Sequence, residues 1–362
     1  MTEISNINLK PDETIYKYKL IKQIGGGVFG QVWLARDVTM DQNVAVKVLD
    51  PSTSTVAEQL KEAHIGSHLK HKNLVKVQYA DVISHNYREI VVIAMDYFKN
   101  GSIVNKLNSE RFLPLPDALK YLKGILAGLE YLHENNIFHG DIKPQNILLG
   151  PSNEGVLTDY GISCKSQNLS PVRLRSAYNL HIAPESIKTD QISVQTDIYQ
   201  TGLTAFRLLN GIDCFQQIYD SLGKEKYYEL VKQGKLEHHI TYLPFIPRAL
   251  KGIINKAIAV DPSNRYQNAI EMRRALERLH FPGYWTYNTD GEYEGINGNY
   301  VFRYEIFSKD GVLYDIRAYK KNINSERETR IHQYFSKQQD QKKSNAIIQK
   351  FMHYVVMTDL RI

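Results

Sequence analysis

The segment HGDIKPQN at residues 139–146 constrains this chain more than any other feature of its sequence. It brings an aspartate, a lysine and an asparagine close together, directly after the helical pattern of residues 115–136. A second aspartate follows in the triplet DYG at 159–161, and the triplet APE stands at 183–185. Each motif alone could be a turn or a helix cap, but all of them in this order indicate a site that carries chemistry.

A glycine-rich segment, GGGVFG, lies at residues 25–30 and fits the pattern G-x-G-x-x-G. Glycines let backbone amides approach phosphate oxygens without obstruction from side chains. A tight hairpin without a ligand would explain the same pattern. Because these glycines lie between two strand-like patterns, and not between a strand and a helix, the sequence disfavours a dinucleotide-binding fingerprint.

Lys47 ends the otherwise apolar strand pattern VAVK at residues 44–47. A lysine on a buried face of a strand needs an anionic partner. That partner could be a phosphate, and Glu62 on the next predicted helix could hold the lysine in place. The alternative is an amphipathic lysine on an edge strand.

The hydrophobic periodicity divides the chain into a strand-rich part and a helical part. Three strands are predicted over 16–50, a helix over 53–69, and two further strands over 74–83 and 89–95. Beyond them, helices are predicted over 115–136, 193–210, 218–233, 247–259 and 266–280, with short strands near 147–158. A ligand cleft is expected between the two parts.

Taken together, the motifs make the chain resemble the eukaryotic-type protein kinases over about residues 14–281. The resemblance implies an α+β, bilobal fold with a β-rich N-lobe over 14–98 and a helical C-lobe over 99–281. It also implies ATP and Mg²⁺ as cofactors, transfer of the γ-phosphate to serine or threonine of protein substrates, and autophosphorylation. Catalysis in such enzymes consists mostly of positioning and of neutralising charge on the γ-phosphate.

The resemblance implies roles for individual residues. The nucleotide would be bound by Gly25, Gly27, Gly30, Val32, Ala45, Lys47, Asp96, Phe98, Leu148 and Asp159. The residues that would carry the chemistry are Asp141, Lys143, Asn146, Lys47 and Glu62. Asp141 would orient the substrate hydroxyl and accept its proton, while Asn146 and Asp159 would hold magnesium.

Other positions of the resemblance concern structure and specificity. Glu185 and Arg265 are similar to a buried ion pair of the family, and Asp197 is similar to the aspartate that braces its catalytic loop. Lys143 and Pro144 favour serine or threonine substrates, while dual specificity stays open.

Three positions depart from the family pattern. Gly140 replaces the arginine that normally answers a phosphate on the activation segment, so we hypothesise that activity does not depend on that phosphate switch. Tyr160 replaces a phenylalanine, and the helix residue expected to stack against it is Gly66. We expect Tyr160 to fill part of the space left there, with neutral drift as the alternative. Tyr178 stands where a threonine is usual, which leaves peptide specificity open.

Two other functions fit part of this pattern. A pseudokinase-like scaffold would bind nucleotide and partners without transferring phosphate. Such proteins usually lose a residue that carries the chemistry or holds the metal, and none is lost here. A small-molecule kinase on the same fold is disfavoured by the APE triplet and Arg265, which in the family shape a floor that binds peptides.

Residues 282–362 lie beyond the kinase pattern and begin at the turn signal Pro282-Gly283. Alternation over 300–307 and 312–319 predicts a hairpin, and residues 325–357 are predicted to be helical. We predict a small, aromatic-rich α+β domain that docks on the kinase, restrains it, recruits substrate or mediates dimerisation. Stacking of its aromatic rings on nucleobases or another ligand is the alternative.

Composition places the chain among ordinary soluble proteins. Its 362 residues are 43% hydrophobic and 23% charged, and no apolar run is long enough for a membrane-spanning helix. Cys164 and Cys214 are too few for a disulfide framework, so we expect reduced thiols and a cytoplasmic location. The net charge of +6 is spread along the chain, which gives no strong nucleic-acid signal. Residues 1–13 are predicted to be a flexible start.

Overall fold

The computed structural model describes residues 8–27, 30–49, 55–160, 163–174, 178–288, 291–308, 311–325 and 327–360, apart from the side chains of residues 58, 62, 108–110 and 237. Within these ranges the chain forms a β-rich N-lobe, a helical C-lobe and a mixed C-terminal module. The bilobal α+β fold predicted from the motifs is confirmed.

The N-lobe contains the strands β1 (Thr14–Ile15), β2 (Tyr18–Gly27), β3 (Gly30–Asp37), β4 (Gln42–Leu49), β5 (Val77–His85) and β6 (Arg88–Asp96), with helix α1 (Val56–His68) between β4 and β5. They form one six-stranded antiparallel sheet in the order β1-β2-β3-β4-β6-β5. The three strands predicted over 16–50 correspond to β2, β3 and β4, and the predicted helix over 53–69 is α1.

The alternation of side chains along β4 assigns the two faces of this sheet. Val44, Val46 and Val48 are buried together on one face. Ala45 is buried in a separate cluster, which includes residues of α1, on the other face. Because side chains on a strand alternate with a period of two, Lys47 lies on the same face as Ala45.

The start of the chain was expected to be flexible over 1–13. Of that range the structure describes residues 8–13. Leu9 is only 7% exposed and joins the buried cluster of the sheet, and the Asp12 amide donates to the Leu20 carbonyl at 2.8 Å. These contacts attach residues 8–13 to the sheet.

The C-lobe contains the helices α2 (Ile103–Glu110), α3 (Leu115–Glu134), α4 (Pro184–Thr189), α5 (Val194–Asn210), α6 (Cys214–Leu222), α7 (Lys224–Gln233), α8 (Arg248–Ala257) and α9 (Ala269–Glu277). Short strands lie between α3 and α5: β7 (Ile137–Phe138), β8 (Ile147–Leu149), β9 (Gly155–Leu157), β10 (Cys164–Lys165), β11 (Val172–Arg173) and β12 (Gln191–Ile192). The helix predicted over 218–233 is wrong in its continuity. Gly223 has a φ of +78°, which separates α6 from α7.

The C-terminal module contains the strands β13 (Gly283–Tyr287), β14 (Tyr293–Asn297), β15 (Tyr300–Ser308), β16 (Tyr314–Asn322), β17 (Glu328–Arg330) and β18 (Ser336–Gln339), followed by α10 (Gln341–Met357). Neighbouring strands pair in sequence order from β13 to β17, and β18 also pairs with β16. The predicted hairpin is confirmed as β15 and β16. The helix predicted over 325–357 is wrong in its first half, which forms β17, β18 and a short 3₁₀ turn.

The module shares a hydrophobic core with the C-lobe. Trp285, Phe302 and Phe351 of the module belong to the same continuous buried cluster as the helices of the C-lobe. Where the two meet, the Tyr293 ring stacks on Phe112 with a centroid distance of 6.0 Å. Among the described residues, no helix combines the length and the apolar character that crossing a membrane requires.

Candidate active site

A cleft of about 710 Å³ lies between the two lobes. Val32 and Ala45 line it from the N-lobe, Leu148 lines it from the C-lobe, and the connecting residues Asp96 and Phe98 close one side. Apolar side chains from both lobes with backbone groups of a connecting segment suit a flat heteroaromatic ring such as adenine.

Two glycines at the mouth of the cleft have different reasons to be glycine. Gly30 has a φ of +150°, and a Cβ there would meet the Val48 carbonyl oxygen at 2.2 Å, so the fold itself requires glycine. A Cβ on Gly25 would lie at an ordinary 3.5 Å from Val32. The fold itself therefore does not require glycine at this position.

Lys47 and Asp159 line the cleft and form an ion pair, with 3.0 Å between Nζ and Oδ1. The Lys47 ammonium lowers the pKa of Asp159 to about 2, so the carboxylate is charged at neutral pH. Asp159 has a φ of +68°, a conformation that is unfavourable for a residue with a side chain. The Asp159 side chain is 42% exposed, and it presents an anionic carboxylate oxygen to the cleft.

Asp141 is fixed by two neighbours in the segment 139–146, which corresponds to the catalytic loop of the resemblance and is called the catalytic loop below. Lys143 Nζ lies 2.6 Å from Asp141 Oδ2, and Asn146 Nδ2 donates to the same oxygen at 2.9 Å. Within the described part of the chain, Asp141 Oδ1 is buried without a hydrogen-bond partner. One carboxylate oxygen is therefore oriented by the protein, and the other can accept a hydrogen bond from a ligand.

Helix α5 holds the backbone of the catalytic loop. Asp197 is fully buried and accepts hydrogen bonds from the amides of His139 and Gly140 at 3.0 and 2.7 Å. Gln200 donates to the Gly140 carbonyl at 2.7 Å and accepts from the Ile142 amide at 2.9 Å. Asp197 thus braces the loop as the resemblance implies, and Gln200 shares that role.

A stack of side chains joins the catalytic loop to α1. The rings of His139 and Tyr160 are 6.0 Å apart, and the Tyr160 hydroxyl donates to the Val75 carbonyl at 3.2 Å. A Cβ on Gly66 would lie 3.3 Å from Tyr160 Cδ2 and only 2.4 Å from Val77 Cγ2. Tyr160 does border the space at Gly66, as hypothesised, but Val77 fills more of it.

His181, which lies just before the APE triplet, connects this part of the chain to the catalytic loop. Its Nδ1 donates to the Ile142 carbonyl at 2.8 Å, and its Nε2 accepts from the Arg207 guanidinium at 3.1 Å. Burial, followed by the charge of Arg207, lowers the pKa of His181 well below its usual value. His181 is therefore neutral, with its proton on Nδ1.

Tyr178 connects this link to Lys143. Lys143 Nζ lies 4.6 Å from the centre of the Tyr178 ring, and the buried Arg207 guanidinium lies 6.0 Å from the same ring. An aromatic face attracts cations at such distances. A tyrosine thus meets Lys143, where the family pattern has a threonine that contacts the catalytic aspartate.

Glu185 and Arg265 form the buried ion pair that the resemblance implies. The guanidinium makes two hydrogen bonds to the carboxylate, at 2.8 and 2.7 Å. Arg265 is 2% exposed and also donates to three backbone carbonyls. This bidentate geometry fixes α4 against the loop before α9.

The structure brings most of the predicted nucleotide and metal residues to one cleft. Those that line it are Gly25, Gly30, Val32, Ala45, Lys47, Asp96, Phe98, Asn146, Leu148 and Asp159. Asp141 and Lys143 are connected to the cleft through Asn146. Gly27 pairs with Gly30 at the end of β2 and is not among the lining residues. Glu62 lies on α1, but its side chain is outside the described part of the structure.

The sequence reasoning did not single out Gln200, His181 or Arg207. A signal for two of them exists, since Asp197, Gln200 and Arg207 lie on one face of α5, a helix that is buried over most of its length. Polar groups on a buried face need partners. His181 offers no such signal, because its partners are distant in the sequence.

The fold and this cleft define a protein kinase domain. The family model described as "Protein kinase domain" matches residues 18–278, and the chain belongs to this family.

Curated relatives extend the similarity. The chain is 28% identical over 269 residues to the serine/threonine-protein kinase PrkC of Bacillus subtilis, an alignment covering 72% of this chain and 40% of PrkC. It is 28% identical to the probable serine/threonine-protein kinase PknB of Lactococcus lactis, with coverages of 71% and 41%. The Aurora/IPL1-related protein kinase 2 of Caenorhabditis elegans is also 28% identical, with coverages of 70% and 80%. The chain therefore spans about two fifths of the length of the first two relatives.

Proposed function

We propose that this chain is an ATP- and Mg²⁺-dependent protein kinase that phosphorylates serine or threonine and also phosphorylates itself. The geometry of Asp141 carries the proposal. Lys143 and Asn146 fix its Oδ2, while Oδ1 is buried without a partner among the described residues. A catalytic base must be oriented and must keep one oxygen for the hydroxyl it serves. The names of the relatives support serine and threonine as acceptors.

The residues of the cleft would divide the work of phosphoryl transfer. Lys47 would hold the α- and β-phosphates, while the apolar residues of both lobes would hold adenine. The substrate hydroxyl oxygen would attack the γ-phosphorus as its proton passes to Asp141, and the bond from phosphorus to the ADP oxygen would break. Lys143 would neutralise charge on the transferring phosphate, and its contact with Asp141 supports this role.

Asn146 and Asp159 fit a magnesium ion. Mg²⁺ prefers oxygen ligands and usually takes one or two carboxylates from a protein. Asp159 is anionic, with its pKa at about 2. The side-chain N–H of Asn146 donates a hydrogen bond to Asp141, so the side-chain oxygen of Asn146 is the atom suited to a cation. When bound, the ion would neutralise charge on the phosphates.

We further propose that activity does not require a phosphate on the activation segment. In the described ranges 163–174 and 178–185, backbone pairing helps to hold the segment: β10 pairs with β7 and β11 pairs with β12. Cys164 and Val172 pack in an apolar cluster with Phe138 and Ile192. These contacts can perform the ordering that a phosphate and an arginine perform in other kinases.

Both cysteines are free thiols, and Cys164 is buried. We propose on this basis that the chain works in a reducing, cytoplasm-like compartment. The C-terminal module contributes apolar contacts to the C-lobe, which supports docking on the kinase among the roles predicted for it.

Label transfer from γ-labelled ATP tests the proposed activity. The purified full chain is incubated with Mg²⁺ and a generic protein substrate, beside an Asp141→Asn variant and a sample containing a chelator. The proposal predicts label on serine or threonine, located by mass spectrometry, and a loss of at least about 100-fold in the variant. Equal labelling by the variant would contradict it.

The scaffold alternative predicts a different result. Nucleotide binding would persist, with Lys47→Met weakening it, but no label would be transferred under any metal condition. A small-molecule kinase would leave the added protein unlabelled while consuming ATP in the presence of its acceptor.

A further inference from the structure

A second cleft, of about 690 Å³, lies between the C-lobe and the C-terminal module. Arg248 and Lys251 of α8 line one side, while Lys350 and His353 of α10 line the other. We name this cleft the α8–α10 groove. It is formed only because the module packs on the C-lobe, and it uses none of the residues of the candidate active site.

The groove concentrates positive charge without a matching negative charge. No aspartate or glutamate lines it. In the described part of the chain, no carboxylate forms an ion pair with Arg248, Lys251 or Lys350. Lys251 instead lies 5.2 Å from the centre of the Tyr242 ring, and burial alone lowers its pKa. Lys251 is half-buried, while Arg248 and Lys350 are exposed. Cations that are brought together in one cleft without a counter-charge favour an anionic ligand.

The start of α8 adds to this charge. The helix begins at Arg248 after Pro247, and no side chain caps its first turn. The amides of the first turn of a helix have no partner within the helix and carry a partial positive charge. Together with a guanidinium and two ammonium groups, they suit a phosphate better than a single carboxylate.

The apolar part of the lining indicates that the anion belongs to a peptide. Ile246, Tyr354 and Met357 line the groove beside the cations, and Met357 is 44% exposed. Apolar side chains next to a cationic cluster match a peptide that carries a phosphate beside an apolar residue. A nucleic acid would instead require a charged stripe that follows its backbone beyond one confined cleft.

We propose that the α8–α10 groove binds a segment of a partner protein that carries phosphoserine or phosphothreonine. The proposal extends the proposed kinase function, because it implies that the chain recruits proteins that are already phosphorylated. Binding itself does not require catalysis, so the groove can be tested when no phosphate is transferred.

The test compares casein, which carries clustered phosphoserines, with enzymatically dephosphorylated casein. Binding to the phosphatase-treated and repurified full chain is measured without ATP and in the presence of a chelator, so that neither casein is modified. The expected Kd for casein is lower by at least about tenfold, the effect of one charge-assisted contact to phosphate. Equal affinity for the two caseins would overturn the proposal.

Matched variants locate the binding site. Lys350→Glu and Arg248→Glu should each abolish the preference for casein. Lys342→Glu makes the same charge change on the same helix at an exposed position outside the groove, and it should keep the preference within about twofold. Unchanged thermal midpoints would show that the variants are folded.

Two results would overturn the assignment to this groove. One is a preference for casein that survives in both Lys350→Glu and Arg248→Glu. The other is a single-stranded oligonucleotide that binds as tightly as casein and is weakened to the same extent by Lys350→Glu. The second result would show a surface that attracts polyanions in general.

Discussion

Gly140 combines a left-handed backbone with two hydrogen bonds to α5. Its φ is +78°, its amide donates to Asp197, and its carbonyl accepts from Gln200. Glycine adopts this conformation freely, while other L-residues are strained in it. Gly140 stands where the family pattern has a phosphate-binding arginine. Because it is a glycine, it also adopts this backbone conformation of the catalytic loop without strain.

Gly140→Arg should lower the free energy of unfolding by about 1 kcal/mol, because an arginine side chain makes a positive φ unfavourable. Chemical denaturation measures the change. A variant as stable as the unaltered chain would show that the loop adopts another conformation.

His181 should make the protein sensitive to mild acid. Its folded-state pKa lies well below 6.5, so below pH 6.5 the unfolded chain binds a proton that the folded chain does not. The unfolding free energy should therefore fall as the pH decreases, by at most about 1.4 kcal/mol per pH unit from this residue.

His181→Asn removes the titrating group but keeps an N–H that can donate to the Ile142 carbonyl. Between pH 6.5 and 5.5, denaturation curves of the variant should depend less on pH than those of the unaltered chain. Equal slopes for the two proteins would mean that His181 binds its proton equally well in the folded and the unfolded chain.

At the scale of elements, the strands and helices with a strong local pattern could be predicted, and those held by distant partners could not. In β2, β3 and β4, apolar and polar residues alternate. The motif segments predicted most of the residues that line the cleft. β17 and β18 are short, polar and exposed, and they exist because they pair with β16. The same limit explains the link from His181 to Arg207, which depends on tertiary contacts.

Helices α1 and α8 each contain a glycine that can be compared directly. A Cβ on Gly66 of α1 would lie 2.4 Å from Val77 Cγ2, whereas nothing lies within 4 Å of a Cβ on Gly252 of α8. Gly66→Ala should destabilise the protein and reduce kcat, because α1 must move away from β5 and Tyr160. Gly252→Ala should stabilise it by up to about 1 kcal/mol through helix propensity.

Thermal unfolding and initial-rate kinetics measure the two variants side by side. A Gly66→Ala variant with an unchanged thermal midpoint and kcat would show that α1 is not coupled to the stack that contains Tyr160.

At the scale of the whole molecule, the kinase domain and the C-terminal module are joined by one hydrophobic core. The rings of Phe112 and Phe245 both contact Tyr293 of the module, at 6.0 and 6.2 Å. The kinase pattern therefore ends near residue 281 in the sequence, but the hydrophobic core continues across this boundary.

Removal of residues 282–362 should destabilise the kinase domain by at least about 2 kcal/mol, because it exposes apolar surface that is buried in the full chain. Calorimetry and the fluorescence of a dye that binds apolar surface measure the effect. Ile323→Ala in the full chain, at a residue of the module that is 55% exposed and outside the shared core, is the control. A truncated chain with an unchanged midpoint and no dye binding would show that the module is an independent domain.

We propose that this chain is a kinase whose activation segment is in place without a phosphate. The most direct measurement is the initial rate of phosphate transfer by the full chain after phosphatase treatment and repurification, followed from the first seconds beside Asp141→Asn. We expect linear product formation without a lag from the full chain, and no product from the variant. A lag that disappears after preincubation with ATP, or an inert dephosphorylated protein, would contradict it.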